Sequence, residues 1–357
     1  MKLSLTALCV LLLAPSVRAK GERWELGGVE FYGSDRVDAD RFAAKHAADI
    51  RHMLNRWGAA AKPAQAQAEA LRVKLEAAAK EMGGFGWAGL EVVELGDSEG
   101  GSSKVLLMVD VVEKDQMSQR YPFRPPPTKD VPDPAGLIAK WAGYEDAGRQ
   151  AALASGADLK RTACPAFYCP EGTGTPEMNA VESLFLDKVA ANKKALAEVL
   201  REDKDGRKRA RALFLLTYLR DADEVIGHVL AALLDPDTRV REAGVTILND
   251  IAIHHKDVVL PIKEAARMLD YPTSTDRQRA LALFLSVGDN PDQRSLVYGP
   301  PADQFLRLLR TKHPGVRDMA HTLLSILSKE SHAVDDYEAW DKWLWRARQA
   351  QIRKGGE

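Results

Sequence analysis

One pattern in the C-terminal half constrains this chain more than any other feature: a helix-length segment written four times. The segments are Arg207-Lys-Arg-Ala-Arg-Ala-Leu-Phe214, Arg241-Glu-Ala-Gly-Val-Thr-Ile-Leu248, Arg277-Gln-Arg-Ala-Leu-Ala-Leu-Phe284 and Arg317-Asp-Met-Ala-His-Thr-Leu-Leu324. Each has arginine first, a small residue fourth and a large apolar residue eighth. The small residue lets a neighbouring helix approach, and the apolar residue one turn later fills a core. A second amphipathic segment precedes three of them: Ile226, Val229, Leu230 and Leu233; Val259, Ile262, Ala266 and Leu269; Phe305, Leu306 and Leu309. Asp205-Gly206, Asp235-Pro236-Asp237, Pro272 to Thr275 and His313-Pro314-Gly315 supply turns and caps. A unit of two helices cannot bury its apolar stripe alone, so the units must stack.

The stretches Leu233-Leu-Asp-Pro-Asp-Thr-Arg-Val-Arg-Glu-Ala243 and Lys312-His-Pro-Gly-Val-Arg-Asp-Met-Ala320 resemble the bacterial HEAT and phycobilin-lyase-like repeat families, over residues 181 to 330. The resemblance implies an α-solenoid and leaves the function open, since such folds serve many roles. Asp336 to Trp345 looks like the tryptophan-rich tail that closes such proteins, with Trp340, Trp343 and Leu344 covering the last apolar edge. Arg207, Arg241, Arg277 and Arg317 are read as structural residues of the repeat. A row of arginines could bind anions along a groove, but each is expected instead to hold an aspartate of its own inter-helix turn, Asp235 or Asp237 in the case of Arg241.

Ahead of the repeats the pattern is mixed. Trp24 to Tyr32 reads as a strand whose alternation shifts at Gly27-Gly28, the mark of a bulge. Phe42, His46, Ile50, Met53, Leu54 and Trp57 form one stripe on a helix capped by Asp38 or Asp40. Pro63 starts a second helix carrying Ala68, Leu71, Leu75, Ala78 and Met82, which Gly83-Gly84 ends. Leu90 to Leu95 and Lys104 to Val112 read as two further strands. Val105 to Val109 is apolar at consecutive positions, so the third strand is expected to be central or covered on both faces, and a central place suits it. That leaves Leu90 to Leu95 at an edge.

Val29-Glu-Phe-Tyr-Gly33, Gly83-Gly84-Phe85-Gly86-Trp87 and Val109-Asp-Val-Val-Glu113 resemble motifs of the POTRA family, small periplasmic domains that precede outer-membrane barrels. The resemblance covers residues 24 to 115 and implies a β-α-α-β-β domain acting on envelope proteins. The chain as a whole reads as multidomain: a small α+β, POTRA-like domain followed by an all-α, HEAT-like solenoid.

Between them, the prolines from Tyr121 to Pro134 disfavour helix and make an extended, stiff connector. Leu137, Ile138, Trp141, Tyr144 and Leu153 suggest one or two helices that cover the start of the stack. Cys164 and Cys169, in Ala163-Cys-Pro-Ala-Phe-Tyr-Cys-Pro-Glu-Gly172, read as a disulfide, because their spacing does not match a C-x-x-C redox pair and the chain reads as exported. Export itself is read from Lys2, the apolar run Leu3 to Pro15 and the small residues of Val17-Arg18-Ala19, a secretory signal pattern. The expected organisation is residues 1–19 signal peptide, 20–117 α+β domain, 118–180 linker and disulfide-bearing cap, and 181–357 solenoid.

Charge excludes one class of partner. Without Lys2 and Arg18 the 50 basic residues fall to 48, against 51 acidic ones, which leaves no basic field for nucleic acid. No later segment reads as transmembrane. No nucleophile elbow, zinc-protease, phosphate-loop or dinucleotide motif is present. Adjacent helical residues point about 100° apart, so His254-His255 is not read as a metal site, and no metal, cofactor or catalytic residue is expected. The function expected is a periplasmic or secreted, non-catalytic scaffold for protein partners of the cell envelope, outer-membrane proteins among them. Its contacts are assigned to Leu90, Val92, Val93 and Leu95 on the edge strand and to the solenoid surface. An assembly chaperone and a lyase-type enzyme are the alternatives.

Overall fold

The computed structural model describes residues 23–59, 61–97, 102–155, 164–170, 176–288, 293 and 297–355; the expected signal peptide lies outside them. The chain is mostly helical, with a small three-stranded mixed sheet near its N-terminus.

Strand β1 (Arg23–Tyr32) leads into α1 (Ala39–Lys45), α2 (Ala47–Leu54) and α3 (Lys62–Gly83), followed by β2 (Trp87–Asp97) and β3 (Ser102–Val112). The single helix expected across Phe42 to Trp57 breaks at His46, whose backbone (φ −110°, ψ 15°) leaves the helical region. Gly84, at φ 66°, ends α3 in a left-handed conformation that costs glycine little. The sheet order is β1-β3-β2, with β3 parallel to β1 and antiparallel to β2. The register shifts at Gly27, where a Cβ would meet Leu95 and the Val105 carbonyl at 3.3 Å, so the bulge sits where only glycine fits easily.

The apolar run of β3 is explained by its place. Val105, Leu107, Val109 and Val111 face the three helices, packing with Phe42, Ile50, Met53, Leu75 and Ala79. Leu106 and Met108 lie on the other face with Val93 and Tyr32. Asp110 shares that second face and is buried too.

The helical region begins with α4 (Met117–Arg120), α5 (Leu137–Ser155) and α6 (Pro176–Glu202). Helices α7 (Gly206–Leu216), α9 (Thr238–His254), α11 (Ser274–Gly288) and α13 (Pro314–Ser328) carry the repeated segment, and each packs on the next. Between them lie α8 (Ala222–Ala232), α10 (Ile262–Ala266) and α12 (Pro300–Leu309). Leu248, Phe284 and Leu324, the eighth residues of their segments, are buried in one continuous core, whereas Phe214, the eighth of the first, is only partly buried against it. Val259, expected on the stripe of α10, is exposed because Pro261 delays that helix until Ile262. The last helix, α14 (Tyr337–Gly355), buries Trp340, Trp343 and Leu344 against the stack. Helix α5 buries Leu137, Ile138, Trp141 and Tyr144 at the other end and leaves Leu153 exposed.

Residues 121–133 form no regular element but follow a defined course. They run across successive inter-helix turns as a strap. The Arg124 amide donates to the Leu234 carbonyl (3.0 Å), and its guanidinium donates to the carbonyls of Leu200 (2.8 Å) and Arg201 (2.9 Å). Further along, the Lys129 carbonyl accepts from the Lys204 amide (2.7 Å), and the Val131 amide donates to Asp203 (2.9 Å). Prolines bring no amide donor, so the strap meets its backbone needs at these few residues.

Candidate functional site

The repeated arginines form a buried ladder, in a register that differs from the sequence reading at its first step. Each rung sits four residues beyond the N-cap of its helix and donates to a carbonyl six residues back. Arg209, not Arg207, fills the position in α7: it donates to the Asp203 carbonyl (2.7 Å) and, through Nε and Nη2, to both oxygens of Asp235 (3.0 and 2.6 Å). Arg207, two residues earlier, is exposed, and only its amide is engaged, by the capping Asp205. Arg241 donates to the Asp235 carbonyl (2.8 Å) and grips Asp276 of the following helix (2.9 and 2.7 Å). The aspartate gripped thus belongs to the next unit, not to the arginine's own turn, because Asp237 is already the N-cap of α9. Arg317 is partly exposed and pairs with its neighbour Asp318.

Arg277 ends the ladder on the sheet. It donates to the Tyr271 carbonyl (3.0 Å), as its counterparts do, but its carboxylate partner is Asp110 of β3 (2.8 Å). Burial pushes the Asp110 carboxyl above its usual value, and the charge of Arg277 opposes that rise. Around this pair Tyr32 lies over the Arg277 guanidinium (4.2 Å), and Lys312 reaches Glu30 (2.6 Å). The Ser274 hydroxyl donates to Glu91, and His313 Nε2 lies 3.6 Å from the same carboxylate. Burial pushes the Glu91 carboxyl up, but the nearby His313 imidazole, the Ser274 hydrogen bond and the charge of Arg277 together outweigh it and hold the group below its usual value. Arg120 ties the junction from the side, donating to the carbonyls of Asp270 (3.2 Å) and Val111 (3.0 Å).

The sheet and the strap together therefore cover the ridge of turns that joins α6 to α7, α8 to α9, α10 to α11 and α12 to α13. The rungs at Arg209, Arg241 and Arg277 are sealed, so they offer no groove for anions. Two cavities, one lined by His332, Ala339, Lys342, Trp345 and Arg346 (about 490 Å³) and one by residues that include Leu186, Lys193 and Tyr218 to Asp221 (about 300 Å³), draw on none of these turns.

The four residues assigned to the edge strand divide between faces. Leu90 and Val92 face α3 and pack in the core there, while Val93 faces the helical stack and is buried. Leu95 is exposed at the bulge where β2 loses register with β3. Strand β2 is at an edge of the sheet, but that edge is not bare. The Leu90 amide donates to Glu76 of α3 at 2.8 Å. This orients the Leu90 amide away from β3, and the two-residue period of a strand turns the amides of Val92 and Glu94 the same way. Nothing in the spacing of the sequence pointed to Glu76. Asp110 is better marked, as the one acid in the central strand and the only polar residue after Lys104.

Cys164 and Cys169 are joined, with sulfurs 2.02 Å apart. Their loop is pinned to the start of the stack: the Phe167 amide donates to the Thr217 carbonyl (3.1 Å), and Tyr168 stacks on Phe214. His254 lies 3.8 Å from Asp250, and His255 packs on Phe167. Among the described residues no group of three or more His, Cys, Asp or Glu side chains is placed to hold a metal ion. No helix among them is long and apolar enough to cross a membrane.

Comparison with protein-family models, with curated proteins and with solved structures finds no match.

Proposed function

We propose that this chain is an exported, non-catalytic scaffold in which a POTRA-like domain and a HEAT-like solenoid act as one rigid unit that binds protein partners of the cell envelope. The element order β-α-α-β-β, the central third strand and the edge position of the second support the first likeness. The consecutive packing of α7, α9, α11 and α13 supports the second. The disulfide at Cys164 and Cys169 is compatible with an oxidising compartment.

The observation that carries the reading is the outer edge of β2. Its strand is held by side chains buried on both faces, while the amides of Val92 and Glu94 turn outward. Such an edge accepts an extended segment by strand addition, with main-chain bonds giving affinity. The solenoid's uncovered helix ends supply a second contact.

Crosslinking pull-down from envelope extracts tests this with two proline variants. Val92→Pro removes an outward donor and leaves the ladder to β3 intact, as proline on an edge can. It should lose the partner while keeping the fold. Val93→Pro removes a donor facing β3 and should weaken the domain itself. Unchanged recovery with a folded Val92→Pro contradicts strand addition.

A further inference from the structure

We propose that Glu76 is a displaceable cap on the β2 edge, its carboxylate holding the Leu90 amide that the carbonyl of an added strand would otherwise take. The inference rests on the strand-addition reading and names how that edge is regulated. Leu75 and Ala79, beside Glu76 on α3, are buried against the sheet, which fixes Glu76 at the rim of β2. Its Oε1 accepts from the Leu90 amide at 2.8 Å. That is the acceptor an incoming backbone carbonyl would supply, in the same place.

Arg72, one turn earlier on α3, makes the exchange inexpensive. It donates through Nη1 to Glu76 and through Nε and Nη2 to Glu69 (2.8 and 2.6 Å). When an added strand takes Leu90, the Glu76 carboxylate stays paired with Arg72, so no charge is stranded at the rim. Among the described residues the amides of Val92 and Glu94 have no side-chain cap of this kind. Glu76 thus guards an edge donor next to the helix and leaves the outer part of the strand open for first contact. Edges left unguarded invite unwanted pairing, and a charged group at the rim is a common remedy.

The test uses a fluorescent peptide of alternating threonine and valine with lysine at both ends, titrated into the full chain. Amide hydrogen exchange at Leu90 is followed in parallel for the wild type, Glu76→Ala and Glu76→Gln. Glu76→Ala should bind the peptide about tenfold more tightly, the worth of one hydrogen bond no longer competed for. Its Leu90 amide should also exchange faster. Glu76→Gln keeps an acceptor oxygen and should stay within about threefold of the wild type. Equal peptide affinity in all three, with faster Leu90 exchange in Glu76→Ala, overturns the cap and leaves strand addition standing. Absence of peptide binding in every variant overturns strand addition, and the cap with it.

Discussion

Arg241 and Arg277 hold the same place in successive helices, each reaching a carbonyl six residues back, yet they find their carboxylates in different modules. Arg241 takes Asp276 from the next helix of its own stack, whereas Arg277 takes Asp110 from a strand far earlier in the chain. The unit after Arg277 has Thr311 and His313 in its turn, so it brings no acid there. The sheet supplies what that unit lacks. A buried guanidinium without a carboxylate is costly, so the stack at α11 is complete only with the sheet in place. The two modules that the sequence separates by a proline-rich connector thus share one polar core.

The largest effect that sharpens this contrast comes from the apolar core of α11. Phe284 is fully buried and meets Phe305 edge-on at 5.3 Å. Phe284→Ala should cost about 3–5 kcal/mol. If the modules are one unit, amides of β3 should lose exchange protection by a similar free energy. Unmoved β3 amides would mean that the sheet folds independently.

A smaller effect belongs to the turn. Ser274, which the sequence places in the turn Pro272 to Thr275, is buried and donates to Glu91 across the junction. Ser274→Ala should cost about 1 kcal/mol in thermal unfolding, the net worth of a hydrogen bond whose carboxylate can still reach water. A silent substitution would mark the junction as peripheral.

The smallest effect is in pH. The Glu91 carboxyl is held below its usual value, so its contribution is fully present above the ordinary glutamate range. It is lost as pH falls through the lowered folded value. The stability gap between wild type and Glu91→Gln should therefore narrow on acidification. A gap that widens would reverse the sign argued for His313, Ser274 and Arg277.

These contrasts also explain what the sequence revealed. Periodicity located the strands, the stacked helices, the tryptophan cap and the central place of β3, because each depends on which residues are apolar. The double glycine announced its bulge for the same local reason. Arg207 and Arg209 lie two residues apart in one segment, and only the carbonyl six residues back tells them apart. Ser274, Glu91 and Asp110 meet through tertiary contacts spanning most of the chain, which no local pattern encodes. The strap was legible as extended, but its docking depends on Arg124, Lys129 and Val131 meeting turns far away in sequence. Glu76 escaped because a helix-surface glutamate is ordinarily a solvated one.

The most direct measurement is a double-mutant cycle on Asp110 and Arg277, with the Asp276 and Arg241 cycle as the reference within the stack. Shared-core docking predicts a coupling of about 2–3 kcal/mol for both pairs, with one cooperative unfolding transition in every variant. Additive single effects at Asp110 and Arg277, within about 0.5 kcal/mol, would contradict it, since residues that share no interaction add.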